Sequence, residues 1–289
     1  MTEPVQWPES LKVEVAERRC VVVLGAGASA ACTNQDGTRR PATWVEFLRG
    51  GVPYVAGEEN QKEALQLIER ERYLDAAQIV HDGMPAADFS KYLRDELEKP
   101  RFKASKIHDY ILQLDPKIVI TTNYDDIYER HCQQGQAVEG YNVCRYYESH
   151  AVDDLRSDRR LILKAHGCIS DPNRVILTRK QYFEARRQYS SFYEVLDAIV
   201  LTNTLLFIGC SMDSDPDVQL LLENTNLSAP SRHSHYAVVP EKWHPSVEKV
   251  IAETYNVQFL KYPSGQHDRV ADGLQRLLDE VNQHRVIPK

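Results

Sequence analysis

The 289-residue chain has no run approaching the roughly 20 apolar residues that a membrane-crossing helix needs. Its opening stretch, MTEPVQWPESLKVEVAERRC, is charged and lacks the apolar segment of a secretory leader, so a cytoplasmic location is expected. Six cysteines stand at 20, 32, 132, 144, 168 and 210, and none forms a Cys-x-x-Cys pair, which removes zinc-ribbon spacing. Without an export signal no disulfide framework is expected, and the thiols read as small apolar filler. The ten histidines show no repeated ligand spacing, so no metal is expected. A basic excess is missing too. Lys and Arg number 35 against 42 Asp and Glu, a net charge of −7, which argues against a broad nucleic-acid-binding face. There is no internal repeat and no low-complexity tract.

What is present can bury a sizeable core: 42% of residues are hydrophobic and 27% charged, a balance that excludes chain-wide disorder. Short aliphatic runs alternate with stretches of helical period. Cys20–Leu24 is continuously apolar and ends in glycine, the pattern of a strand buried on both faces. Similar runs lie at 117–121, 161–164, 174–178, 205–208, 235–239 and 257–260. Helical stretches are expected at 59–81, 86–98, 103–114, 181–203, 217–224, 245–255 and 267–284. The segment 139–160, polar and rich in tyrosine, reads as either strand or loop. The expected fold is α/β, a Rossmann-like parallel sheet with helices on both faces. No strand signal appears between about 36 and 114, which predicts a small helical module inserted after the first βα turn. The whole chain, 1–289, then reads as one catalytic domain, with its core at 10–35 and 115–289.

Four polar motifs punctuate this pattern. Gly25-Ala-Gly27-Ala-Ser-Ala30 follows the first strand and fits a Gly-x-Gly-x-x-Gly/Ala phosphate loop. The same residues would also serve a tight strand–helix turn with no ligand. Glu46 lies about 20 positions on, where a dehydrogenase holds the ribose, but it falls at a helix start rather than a strand end, which weakens hydride transfer. Thr121-Thr-Asn123-Tyr-Asp125-Asp126, Lys164-Ala-His166-Gly167 and Gly209-Cys-Ser211-Met-Asp213-Ser-Asp215 each close a later strand. Singly these read as Asx or glycine turns. Together, at the carboxyl ends of parallel strands, they would converge on the first loop.

In this order the motifs resemble the sirtuin family, and more closely its divergent NAD-hydrolysing branch from bacterial anti-phage defence systems. The likeness runs from about residue 20 to 225 and includes Val175-Ile-Leu-Thr-Arg-Lys-Gln-Tyr182. It implies an NAD-binding Rossmann-like core, with NAD as substrate and a helical module over it. By the same resemblance Gly25, Ala26, Gly27 and Ser29 cradle the phosphates, and Gly209 and Ser211 face the adenosine ribose. Thr122, Asp213 and Asp215 join that binding group. Asn123 contacts the nicotinamide ribose and helps hold water, Asp125 lies toward the nicotinamide, and His166 is the general base. The chain departs from protein-deacylating sirtuins by lacking two Cys-x-x-Cys pairs. It also has Cys32-Thr-Asn-Gln-Asp-Gly-Thr-Arg-Arg-Pro41 where they carry Gly-Ile-Pro-Asp-Phe-Arg.

The resemblance implies an NAD hydrolase that releases nicotinamide and ADP-ribose as an effector of anti-phage immunity. An enzyme that depletes NAD needs restraint, so activation by self-assembly or a partner is expected. By resemblance, one candidate partner is a HerA-like hexameric ATPase; no membrane or direct nucleic-acid contact is expected. The alternatives are an NAD or ADP-ribose sensor without catalysis, an NAD-dependent deacylase or ADP-ribosyl transferase, and a hydride-transfer enzyme.

Overall fold

The structure is a computed structural model that describes residues 5–134, 140–212, 222 and 233–286. Seven strands form one sheet: β1 (Cys20–Leu24), β2 (Ile118–Thr121), β3 (Tyr141–Arg145), β4 (Arg160–Lys164), β5 (Thr204–Ile208), β6 (His235–Pro240) and β7 (Val257–Tyr262). Their order is β3-β4-β2-β1-β5-β6-β7, and every pairing is parallel. Central β1, β2 and β5 are buried at every position, as strands covered on both faces must be.

Side-chain alternation splits the aliphatic runs between two cores. Val21, Val23, Ile120, Leu163 and Phe207 face one side, where they meet α10 (Arg179–Gln188) and α11 (Ser190–Thr202). Val22, Leu24, Val119, Ile162 and Ile208 face the other. There they are covered by α1 (Glu9–Ala16), α7 (Lys106–Leu114), α8 (Ile127–Gln134) and α13 (Asp268–Val286). The doubly covered parallel sheet expected from sequence is therefore present.

The insertion after β1 is helical, with a core of its own. Helix α2 (Ala26–Ser29) gives one turn. Then α3 (Trp44–Gly51), α4 (Glu58–Glu69), α5 (Tyr73–Asp82) and α6 (Ala86–Leu93) gather Phe47, Leu48, Leu67, Val80 and Leu93 around residues 168–177. Helix α7 does not join them. Its Ile107, Ile111 and Leu114 pack under the sheet beside α13, so the module ends earlier than its run of helices suggests. α3 begins with a capping box in which Thr43 and Glu46 exchange bonds with each other's backbone.

Three expectations need correction, one of them the single helix over 181–203, which breaks at Tyr189 into α10 and α11. Residues 174–178 form no strand: Val175, Ile176 and Leu177 are buried, yet the segment lies across the loop after β4. The Ile176 amide bonds to the His166 carbonyl at 3.0 Å. The run is apolar because it sits between module and sheet, and Thr178 then caps α10. The stretch expected as one helix over 59–81 breaks at Glu71, which takes a positive φ of 58° between α4 and α5. The ambiguous segment supplies β3 and, after a turn, α9 (Ala151–Leu155). Helix α12 (Pro245–Tyr255) lies where expected, whereas the stretch 217–224 falls almost wholly outside the described residues.

Candidate active site

The sheet changes direction at β1. The chain builds β2, β4 and β3 on one side of it, then returns to lay β5, β6 and β7 on the other. A crevice at the carboxyl ends of the strands beside such a switch is where open α/β sheets hold ligands. Register sharpens the point. Ile208, Leu24, Thr121 and Lys164 stand side by side as the last residues of β5, β1, β2 and β4. The next row stays hydrogen-bonded: Gly25 N–H to Ile208 O, Thr122 N–H to Leu24 O and Ala165 N–H to Thr121 O, at 3.0, 3.3 and 3.0 Å. All four motifs thus leave the sheet from one row.

The glycines of the first loop are required by the chain itself. A Cβ at Gly25 would lie 2.5 Å from the Gly209 carbonyl oxygen, and one at Gly27 would lie 2.9 Å from the Gly209 Cα. Gly209 has a φ of +69°, and a Cβ there would fall 2.2 Å from the Ala28 amide nitrogen. The Gly27 amide donates to the Gly209 carbonyl at 2.9 Å. The loops after β1 and β5 are therefore pressed backbone to backbone, a contact only glycine permits.

On the other side of β1, Asn123 and Asp125 tie the loop after β2 to α2. Asn123 Nδ2 donates to the Gly25 carbonyl at 3.0 Å and to Ser29 Oγ at 3.1 Å. Ser29 Oγ donates in turn to Asp125 Oδ2 at 2.7 Å, and Asp125 Oδ1 accepts the Ile127 amide at 3.0 Å to start α8. Ser29 and Asp125 are both buried. Because two acceptors claim the Asn123 amide hydrogens, the side chain has one orientation. Among the described residues its Oδ1 accepts nothing, which leaves a fixed negative dipole end for a ligand.

Beneath this loop lies an ion pair that no sequence motif announced. Lys164 is fully buried, pairs with Glu129 of α8 and donates to the Asp125 carbonyl at 2.5 Å. Burial works against the ammonium, but the adjoining Glu129 carboxylate outweighs it and holds Lys164 above its ordinary pKa. The available signal was a lone lysine closing the apolar run Leu161-Ile-Leu-Lys164.

His166 follows β4 and is 3% exposed. Its ring meets Tyr182 of α10 edge-on at a centroid distance of 5.0 Å and lies 6.4 Å from the ring of Tyr124. Tyr124 stands between Asn123 and Asp125, and its ring also lies 6.3 Å from that of Trp44 of the module. An aromatic bridge so links the module, the loop after β2 and the histidine. Gly167 turns the chain at φ +81°, with the Arg174 carbonyl 2.4 Å from where a Cβ would be. Arg39 and Arg40, in the loop before α3, are paired: Arg39 with Glu96 at 3.0 Å, Arg40 in a fork on Glu46 at 2.6 and 2.9 Å. That fork, with the Thr43 amide, pulls the Glu46 carboxyl down to about 2.

Of the other sequence candidates, Ala26 lies in α2 and Thr122 in the hydrogen-bonded row, while Ser211 follows Gly209 and is half-buried. Asp213 and Asp215 lie outside the described residues. Among the described residues no helix is long and apolar enough to cross a membrane.

Comparison with known proteins agrees with this architecture. Residues 117–260 match the model of the SIR2-like domain family. The chain is 24% identical over 204 residues to the NAD(+) hydrolase ThsA of Acinetobacter baumannii (strain 532279), covering 66% of this chain and 41% of that protein. It is 28% identical over 160 residues to Defense-associated sirtuin 2 of Bacillus subtilis, covering 53% and 15% of the two chains. It is 27% identical over 163 residues to the ThsA of Enterococcus faecium, covering 54% and 33%. The chain spans less than half the length of each of these relatives. With the family match spanning β2 to β7 and the motifs leaving the sheet from one row, the chain carries a SIR2-like domain and is a sirtuin-like protein.

Proposed function

We propose that the chain cleaves the bond between nicotinamide and ribose in NAD, releasing nicotinamide and ADP-ribose as an NAD-depleting effector of anti-phage defence. The observation that carries the reading is the single row from which the loops starting at Gly25, Thr122, Ala165 and Gly209 depart, His166 in the third of them, beside the switch in strand order. Relatives named NAD(+) hydrolase and Defense-associated sirtuin support the substrate and the setting.

Nicotinamide leaves from a cation and needs no strong acid. The demand is to stabilise the positive ribosyl centre that grows as the bond stretches, and preorganised dipoles do this best. Asn123 Oδ1, held by the two bonds from its own amide group, supplies such a dipole and a place for water. Asp125 has both oxygens engaged, so it acts by fixing Ser29 and the loop that carries Asn123. His166 takes the proton from the attacking water, help worth about 10²–10⁴-fold. The loops of Gly25–Ser29 and Gly209–Ser211, with Thr122, take the phosphates and adenosine ribose, and Asp213 and Asp215 extend that end. No metal is assigned a role in this chemistry.

The burial of His166 beneath Tyr124 and Tyr182 favours an enzyme at rest, opened when copies assemble or a partner such as a HerA-like ATPase docks. The test is chromatography of NAD incubated with purified protein over a concentration series, with His166→Ala and Asn123→Ala beside it. Nicotinamide and ADP-ribose should appear with wild type and vanish in both folded variants. Wild-type turnover in either variant sinks the site assignment. Full activity in an invariant monomer, shown by light scattering, sinks the assembly requirement.

A further inference from the structure

The turn between β3 and α9 gathers side chains whose spacing in sequence matches no metal motif. Cys144 Sγ, a carboxylate oxygen of Glu148 and a ring nitrogen of His150 all lie within 4.8 Å of one another. Ligand atoms around a tetrahedral zinc stand roughly 3.3–3.8 Å apart, given Zn–S near 2.3 Å and Zn–N near 2.0 Å. Closing the difference takes a contraction of about an ångström in a turn.

The donors are weakly committed. The hydrogen bonds that the thiol donates are long, 3.7 Å to the Arg145 carbonyl and 3.9 Å to that of Glu148, and the Ala151 amide faces its sulfur. His150 Nε2 lies 3.4 Å from the Val143 carbonyl. Glu148 is oriented rather than consumed: its oxygens accept the Arg145 amide at 2.7 Å and guanidinium at 3.0 Å, as outer partners of a ligand carboxylate do. A further carboxylate stands beside the histidine. Asp154 Oδ2 is buried, accepts no hydrogen bond, and sits 3.6 Å from His150 Nε2, while Asn142 holds the other oxygen at 3.0 Å.

We propose that Cys144, Glu148 and His150 bind a zinc ion, with the Asp154 carboxylate beside the His150 ring. A thiolate, an imidazole and carboxylates together suit zinc better than calcium or magnesium, which want oxygen alone. Burial and the carboxylates of Glu148 and Asp154 push the free Cys144 thiol up to about 12, so the metal displaces its proton to solvent on binding. The ion is structural. It braces a turn that touches the His166 loop through Tyr146, whose amide bonds to the Lys164 carbonyl at 3.1 Å and whose hydroxyl bonds to Arg174 O at 3.0 Å. The proposal stands apart from NAD cleavage and survives its failure.

Cobalt(II) reports the site directly. The full chain, stripped by chelator and titrated with cobalt(II), should develop a thiolate-to-cobalt charge-transfer band that saturates at one equivalent and is erased by zinc. Cys144→Ala and His150→Ala should lack the band, and zinc should raise the melting temperature of wild type only. The His150 side chain is 44% exposed, so its variant keeps the fold and separates lost binding from lost structure. Absence of the band in wild type, or its persistence in His150→Ala, overturns the site.

Discussion

Ser29 donates its hydroxyl hydrogen to Asp125 across 2.7 Å while accepting one from Asn123 at 3.1 Å, so a single oxygen couples the loops after β1 and β2. A hydrogen bond to a buried charged group contributes about 1.5–3 kcal/mol. Ser29→Ala should lower stability by that amount in urea denaturation. It should also reduce kcat for NAD cleavage more than it raises KM, because Asn123 keeps its bond to Gly25 but loses its second anchor. An unchanged kcat would leave Ser29 a merely structural residue.

The Lys164–Glu129 pair invites a harder perturbation. Removing one member of a buried ion pair leaves an uncompensated charge and costs about 3–5 kcal/mol. Lys164→Met should fall in that range, whereas Lys164→Met with Glu129→Leu should recover most of the loss, since two apolar groups of similar volume replace the pair. A double-mutant cycle from urea unfolding decides it. Additive losses would mean that the two side chains are not coupled.

Gly209 and Gly37 make a matched comparison. Both have positive φ, +69° and +76°, but a Cβ at Gly37 meets nothing within 4 Å while one at Gly209 strikes the Ala28 amide nitrogen at 2.2 Å. Gly37→Ala should cost only the left-handed penalty of about 1–2 kcal/mol. Gly209→Ala must also push the loops after β1 and β5 apart, and should lose more than about 4 kcal/mol or fail to fold. Equal melting temperatures for the two variants would contradict the backbone contact.

These residues also mark how far the sequence could be read. The central strands were legible because burial on both faces leaves an unbroken aliphatic run, as in Cys20–Leu24. Edge strand β3 stayed ambiguous because, among the described residues, it pairs with β4 alone and carries polar Asn142 and Arg145 half-buried, without an apolar run or a clean alternation. Residues 175–177 misled for the converse reason: they are as buried as a strand but lie between module and sheet, Val175 and Leu177 in the module's core and Ile176 in the sheet's. The break at Glu71 left no glycine or proline to announce it. At Asp125 the plain reading of Asn-x-Asp as an Asx turn holds as well, since its carboxylate accepts the amide two residues on. What no pattern could supply was partnership across the fold, such as Glu129 under Lys164 or Trp44 against Tyr124.

Two histidines outside the proposed chemistry set the acid side of the stability curve. Burial pulls the His235 imidazole down to about 4, and its Nδ1 must be unprotonated to accept the Leu205 amide at 3.2 Å. Burial likewise pulls His108 down to about 4, although Asp125 resists this. Both values lie below the unfolded value of about 6.5, so between pH 6.5 and 4 the unfolded chain binds more protons than the folded one. Stability from these groups is fully present above pH 6.5 and drains away as pH falls toward 4, by up to about 3 kcal/mol per histidine. The Glu46 carboxyl, held near 2 in the fold, acts in a separate window below its ordinary value of 4.5. Urea unfolding at pH 7, 5.5 and 4.5 should show the decline, and His235→Asn, which keeps an acceptor for Leu205 but cannot titrate, should make it shallower. An unaltered slope in that variant would mean His235 is accessible to protons in the native state.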